Sequence, residues 1–181
     1  MNKSIAYFTR LLHEHHINFV VLNNLHGTQE AKTVDIYIFR RDKEAAKKVL
    51  AEWKSKDSDN TYLISSTTFA LRDHTAIFDS KAKQTYWDDM IDDYWEELLN
   101  HLEFDNVSVP MLPPTLQAIT MFVNVYNHQK NHTLTSAMMN DWKAYMKLKE
   151  SEIVGMELMS KLERLGLLKA FNELKDVASK F

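Results

Sequence analysis

Apolar positions recur at helical spacing over residues 4–16, where Ile5, Phe8, Leu11 and Leu12 share one side and Ser4 stands at a predicted N-cap. The compact apolar run "INFVVLN" follows, bounded by asparagine, and predicts a buried strand. Residues 24–33 are polar, contain Gly27, and predict a loop; "VDIYIF", β-branched and aromatic, predicts a second strand. Asp42 is then placed to cap a helix, "DKEAAKKVLAEWKSK", with Ala46, Val49, Leu50 and Trp53 as its inward stripe. "SKDSDN" interrupts the pattern, and beyond it "TYLISS", "TTFALR" and "HTAIFD" predict three short strands joined by tight turns.

From residue 86 the period changes. "YWDDMIDDYWEELLNHL" predicts an amphipathic acidic helix, and "FDNVSVPMLPP", which holds every proline of the chain, predicts an extended linker. "TLQAITMFVNVYNHQK", "TSAMMNDWKAYMKLK" and the segments around Gly155 and Gly166 predict a helical array, with the two glycines as helix C-caps or interhelical turns. The expected organisation is α+β: a mixed sheet with flanking helices over residues 1–85, a connecting acidic helix and linker over 86–112, and a helical domain over 113–181, with a cleft between sheet and helical parts.

Composition narrows the chemistry. At 181 residues the chain is long enough for a substantial core, and its net charge of −3 supplies no global field for nucleic acid or an anionic membrane. The absence of cysteine removes disulfides, thiolate metal sites and cysteine nucleophiles. Arginine and histidines break the apolar residues near the N-terminus too early for a signal peptide, and no window reaches the run of about 18 apolar residues that a membrane span needs. The expected location is the cytoplasm.

The candidate chemistry lies in "VVLNNLHGTQEAKTVDIYIF". Alternate residues of a strand face one side, so acids two apart near the start of a second strand project toward one point and can share magnesium. On "FVVLNN", "VDIYIFRRDKEAAKKVL", "AIFDSK", "AITMFVNVYNH" and "MMNDWKAYMKL", taken in order, the chain resembles the nucleotidyltransferase-like proteins of bacterial, Bacteroides-type, polysaccharide biosynthesis loci. The resemblance implies a nucleotidyltransferase-like fold and transfer of a nucleotidyl group from a triphosphate to a hydroxyl or sugar phosphate. It implies that Asp35 holds magnesium, that Asp79 is the third acid and activates or positions the acceptor, and that Arg40 or Arg41 steadies phosphate. Asn23, Asn24 and Tyr37 complete the implied nucleotide-binding set.

The sequence departs from that family at three places. Asn23 and Asn24 replace a Gly-Ser pair, Asp-Ile-Tyr replaces Asp-x-Asp at residues 35–37, and Ala137 stands where relatives carry arginine ahead of Asp141 and Trp142. Tyr37 is no ordinary magnesium ligand at neutral pH, since a phenol titrates near ~10. The expectation is a catalytically impaired relative whose cleft binds a nucleotide or sugar-type ligand, with magnesium held weakly if at all by Asp35 and Asp79. Alternatively Asp35 merely bonds near the loop, and the chain is a non-enzymatic regulatory or interaction module.

The other features are weighed against ordinary roles. Asp88, Asp89, Asp92, Asp93, Glu96 and Glu97 form either a docking face for a basic partner or a solvated face opposite Trp87, Ile91, Tyr94, Trp95 and Leu98. His128 and His132 have ligand spacing, but "HQKNH" reads as a helix end. His13, His15 and His16 read as a solvated cluster, and the methionines, including Met138, Met139, Met156 and Met159, as adaptable packing.

Overall fold

The strand–loop–strand segment folds as an antiparallel pair in a mixed sheet. The computed structural model describes residues 2–22, 33–56, 58, 60–71, 80–92 and 100–178. In chain order the elements are α1 (Asn2–Glu14), β1 (Phe19–Val21), β2 (Thr33–Ile38), a 3-10 turn (Arg40–Asp42), α2 (Lys43–Val49), a second 3-10 turn (Ala51–Trp53), β3 (Thr61–Ile64), β4 (Thr67–Leu71), α3 (Lys81–Asp92), β5 (Asn100–Phe104), β6 (Val107–Met111), α4 (Pro114–Lys130), α5 (Ser136–Leu148), α6 (Gly155–Arg164) and α7 (Leu168–Ala178). The protein is therefore α+β, and its described residues form a six-stranded sheet in the order β3-β4-β2-β1-β6-β5. β2 lies antiparallel to β1 and parallel to β4, and β6 lies parallel to β1.

The chain divides into two compact units: residues 1–73 with 89–112, and residues 74–88 with 113–181. In the first, one face of the sheet is apolar by strand alternation. Val34, Ile36 and Ile38 of β2 join Phe19, Val21, Phe69, Val109 and Met111 under Ile5, Phe8 and Leu12 of α1, Ala46 of α2 and Leu50 just after it. Phe8 stacks on Phe69 at 4.2 Å and meets Phe19 edge-on at 5.8 Å. Ala46 and Leu50 of the expected stripe enter this core and Val49 and Trp53 pack at its margin, the stripe running from α2 into the 3-10 turn after it.

In the second unit, Phe122 of α4, Trp142 of α5 and Phe171 of α7 form an aromatic triangle with centroids 5.1–5.8 Å apart. Leu158, Leu162, Leu165 and Leu174 are also buried in this unit. Its helix α6 ends in a Schellman arrangement: Leu167 N donates to Leu162 O and Gly166 N to Glu163 O, with Gly166 at φ +70°. Gly155, in contrast, opens α6 and caps nothing.

Several expectations are corrected. Residues 107–111 are no linker: they are β6, paired along its length with β5 through a two-residue turn at Asp105 and Asn106, both at positive φ. "EFDNVSV" carries that turn signal, a short polar pair suited to left-handed backbone between alternating runs. Pro110 is tolerated because, counted from the turn, the His101–Pro110 pair is a non-hydrogen-bonded one, so the missing N–H takes nothing from β5. The acidic helix accordingly does not reach residue 102, since Asn100–Phe104 is strand. Ser4 lies inside α1 and is buried rather than capping it. Asp42 makes no side-chain cap either; its Oδ2 accepts from Asn18 N at 2.9 Å and Asn18 Nδ2 at 2.7 Å. α2 stops at Val49, followed by the 3-10 turn Ala51–Trp53, instead of running to residue 56. Met156 is 88 % exposed and packs nothing. α4 ends at Lys130 and His132 sits at φ 55°, so the two histidines share no helix; His128 Nδ1 pairs with Thr133 Oγ1 at 2.8 Å. The expected strand at residues 74–79 lies outside the described residues.

Candidate functional site

β2 sets the geometry of the site. Because Val34, Ile36 and Ile38 face the core, Asp35 and Tyr37 face the opposite side of the sheet. Asp35 is half-buried, flanked across the strands by Ala70 of β4 and by Leu22, whose N–H donates to the Asp35 carbonyl at 2.9 Å. Tyr37 is fully buried, paired with Val20 of β1 and set edge-on to Phe39 at 5.6 Å.

The hydroxyl of this buried ring reaches a charged partner. Tyr37 Oη donates to Asp92 Oδ1 at 3.0 Å, and Arg40 Nε donates to Asp92 Oδ2 at 2.6 Å. Arg40 Nη2 donates to Asp89 Oδ1. Asp89 and Asp92 are three apart on α3, hence on one face, and the guanidinium offsets the repulsion between them. Bonding to Asp89, then to Asp92, raises the Arg40 pKa above its already high ordinary value, so the side chain stays charged throughout. The arrangement is a fork: one planar cation spanning two carboxylates, with a phenol closing the inner one.

The expected site residues are only partly brought together. Asp35, Tyr37 and Arg40 lie on or directly after one strand, and Tyr37 and Arg40 meet on one carboxylate. Arg41 turns elsewhere, its Nε 3.8 Å from Asp42 Oδ2. Asn23, Asn24 and Asp79 lie outside the described residues, as do Asp93, Glu96 and Glu97. Asp141 is exposed and its neighbour Trp142 buried, so the Asp-Trp pair divides between solvent and core. Asp89 and Asp92 were absent from the expected site. Their signal was acids at i, i+3 on a helix with an apolar stripe, but nothing local names the arginine 49 and 52 residues away as their partner.

Toward a divalent ion the described residues offer a thin donor set. Asp35 is a carboxylate, but Tyr37 presents a hydroxyl hydrogen to Asp92 rather than a free anion, and Asp89 and Asp92 already neutralise a cation. No group of three His, Asp or Glu side chains gathers at ligand spacing among the described residues. No helix among them is long and apolar enough to cross a membrane. In comparison with known proteins, the chain matches no family model, no curated protein and no solved structure.

Proposed function

We propose that this chain is a catalytically impaired nucleotidyltransferase-like protein whose β2 face binds a nucleotide or sugar-type ligand, with the helices of residues 113–178 as its helical domain. One observation carries the reading. Where the resemblance calls for a second carboxylate on β2, Tyr37 stands as a buried phenol that donates to Asp92, alongside Arg40 on the same acid. That position therefore donates a hydrogen bond to a neighbour and contributes no charge to a metal, which supports binding over turnover. Asp35 is the residue that would hold a magnesium ion, weakly, with water and ligand phosphate supplying the remaining oxygens.

Calorimetric titration of the protein with nucleoside triphosphates and sugar nucleotides, with and without magnesium, tests this. Binding that Asp35→Ala abolishes is the expected result. No heat from any triphosphate or sugar nucleotide, in a folded protein, refutes it. The interaction-module alternative predicts that null together with capture of a basic partner through residues 88–97; the pairing of Asp89 and Asp92 with Arg40 already withdraws two of those acids from such a face.

A further inference from the structure

Three donors converge on one spot beside β2: the Tyr37 hydroxyl from a buried floor, and Nε and Nη2 from one edge of the Arg40 guanidinium. That edge is the fork which matches carboxylate and phosphate oxygens in pairs. Both oxygens of Asp92 are engaged, each by a different donor, and Asp89 supplies a third oxygen. Together these donors hold three carboxylate oxygens carrying two negative charges, the kind of acceptor set that a phosphate group also presents. We propose that the Tyr37–Arg40 edge is a polyphosphate-binding site which the protein's own Asp89 and Asp92 occupy, making these acids a built-in competitor of the ligand. This deepens the function proposed above and rests on it for the ligand class.

Exposure supports an exchange. The side chains of Arg40 and Asp89 are 46 % and 55 % exposed, so the outer end of the fork is open to solvent. Asp92, at 25 %, is held more firmly and is the inner latch. Exposed ion pairs are weak and screened, so replacing two carboxylates by a more highly charged polyphosphate trades like contacts for stronger ones.

The test is calorimetric titration of the full chain with inorganic tripolyphosphate, free of divalent metal, at constant ionic strength. The double variant Asp89→Asn/Asp92→Asn is expected to bind about tenfold more tightly than the unaltered protein, the gain of one charge-assisted contact. Adding Arg40→Gln is expected to erase that gain. A charge-matched control, Glu150→Gln/Glu163→Gln at exposed positions, is expected to show none. Equal binding by the unaltered protein and the double variant, a gain that survives Arg40→Gln, or an equal gain in the control overturns the proposal. If circular dichroism shows the double variant unfolded, Asp89→Asn alone serves: about threefold tighter binding is expected, and no change overturns it. The outcomes separate from those for the parent reading, because metal-free tripolyphosphate does not engage Asp35. Loss of nucleotide binding with this gain intact refutes only the parent reading, and the reverse refutes only the latch.

Discussion

Tyr37 and Arg40 grip the same carboxylate with bonds of different worth. The phenol ring is fully buried and its bond to a charged acceptor is part-buried, so Tyr37→Phe is expected to cost about 1–2 kcal/mol. Arg40 is half exposed, and its two ion pairs are screened, so Arg40→Ala is expected to cost no more than about 1 kcal/mol. Salt separates them. Urea unfolding in dilute buffer and again in about 1 M sodium chloride should leave the Tyr37→Phe deficit intact and remove most of the Arg40→Ala deficit. An Arg40 deficit that persists in salt would mean the guanidinium acts by packing. The presence of Asp35 and Tyr37 on one face was legible in the sequence, because strand alternation is local. The partner of Tyr37 was not, because a hydroxyl carries no sign of which of several acids it will meet.

At the scale of elements, turns and helix ends decide where each segment stops. Asp105 and Asn106 both hold left-handed backbone, and Arg10 Nη2 donates to the Asp105 carbonyl at 2.9 Å. Asn106→Gly is therefore expected to stabilise by a few tenths of a kcal/mol to about 1, and Asn106→Val to destabilise by about 1–2, both read in thermal melts. The glycines of α6 make a contrasting pair. A Cβ at Gly166 would sit 3.1 Å from Lys83 Nζ at φ +70°, whereas one at Gly155 meets nothing within 4 Å. Gly166→Ala should cost about 1 kcal/mol and Gly155→Ala should stabilise by up to about 1, since alanine is the better helix former. Helical stripes such as Ile5, Phe8 and Leu12 could be read directly from spacing. The β5–β6 hairpin was hidden by Pro110 and the two prolines that follow it, which suggest a linker until the register is known to place Pro110 at a position that needs no N–H.

For the whole molecule, two titrations contribute to the pH dependence of stability. Partial burial, with the ring tilted on Phe19 at 5.8 Å, and then the charge of His101 lower the His13 pKa. The unfolded chain thus binds the proton more tightly, so His13 contributes no penalty above its ordinary value near ~6.5 and a growing one as pH falls below it. Burial, and then Glu152, raise the Tyr145 pKa. Its contribution is complete below the ordinary phenol value near ~10 and is lost as pH rises beyond it. Urea midpoints measured against pH should show both limbs, with His13→Gln flattening the acid limb and Tyr145→Phe the alkaline one. Unchanged limbs in these variants would assign the pH dependence to other groups.

The sequence by itself determined the class of this protein and the faces of its elements, because apolar periods of two and of about 3.6 are properties of consecutive residues. Only the tertiary structure decided that residues 107–111 enter the sheet beside β1, and that Arg40 meets Asp89 and Asp92 rather than open solvent. Strand edges and long charged side chains are satisfied by any complementary partner, so the choice among partners is made by the packing that brings distant segments together.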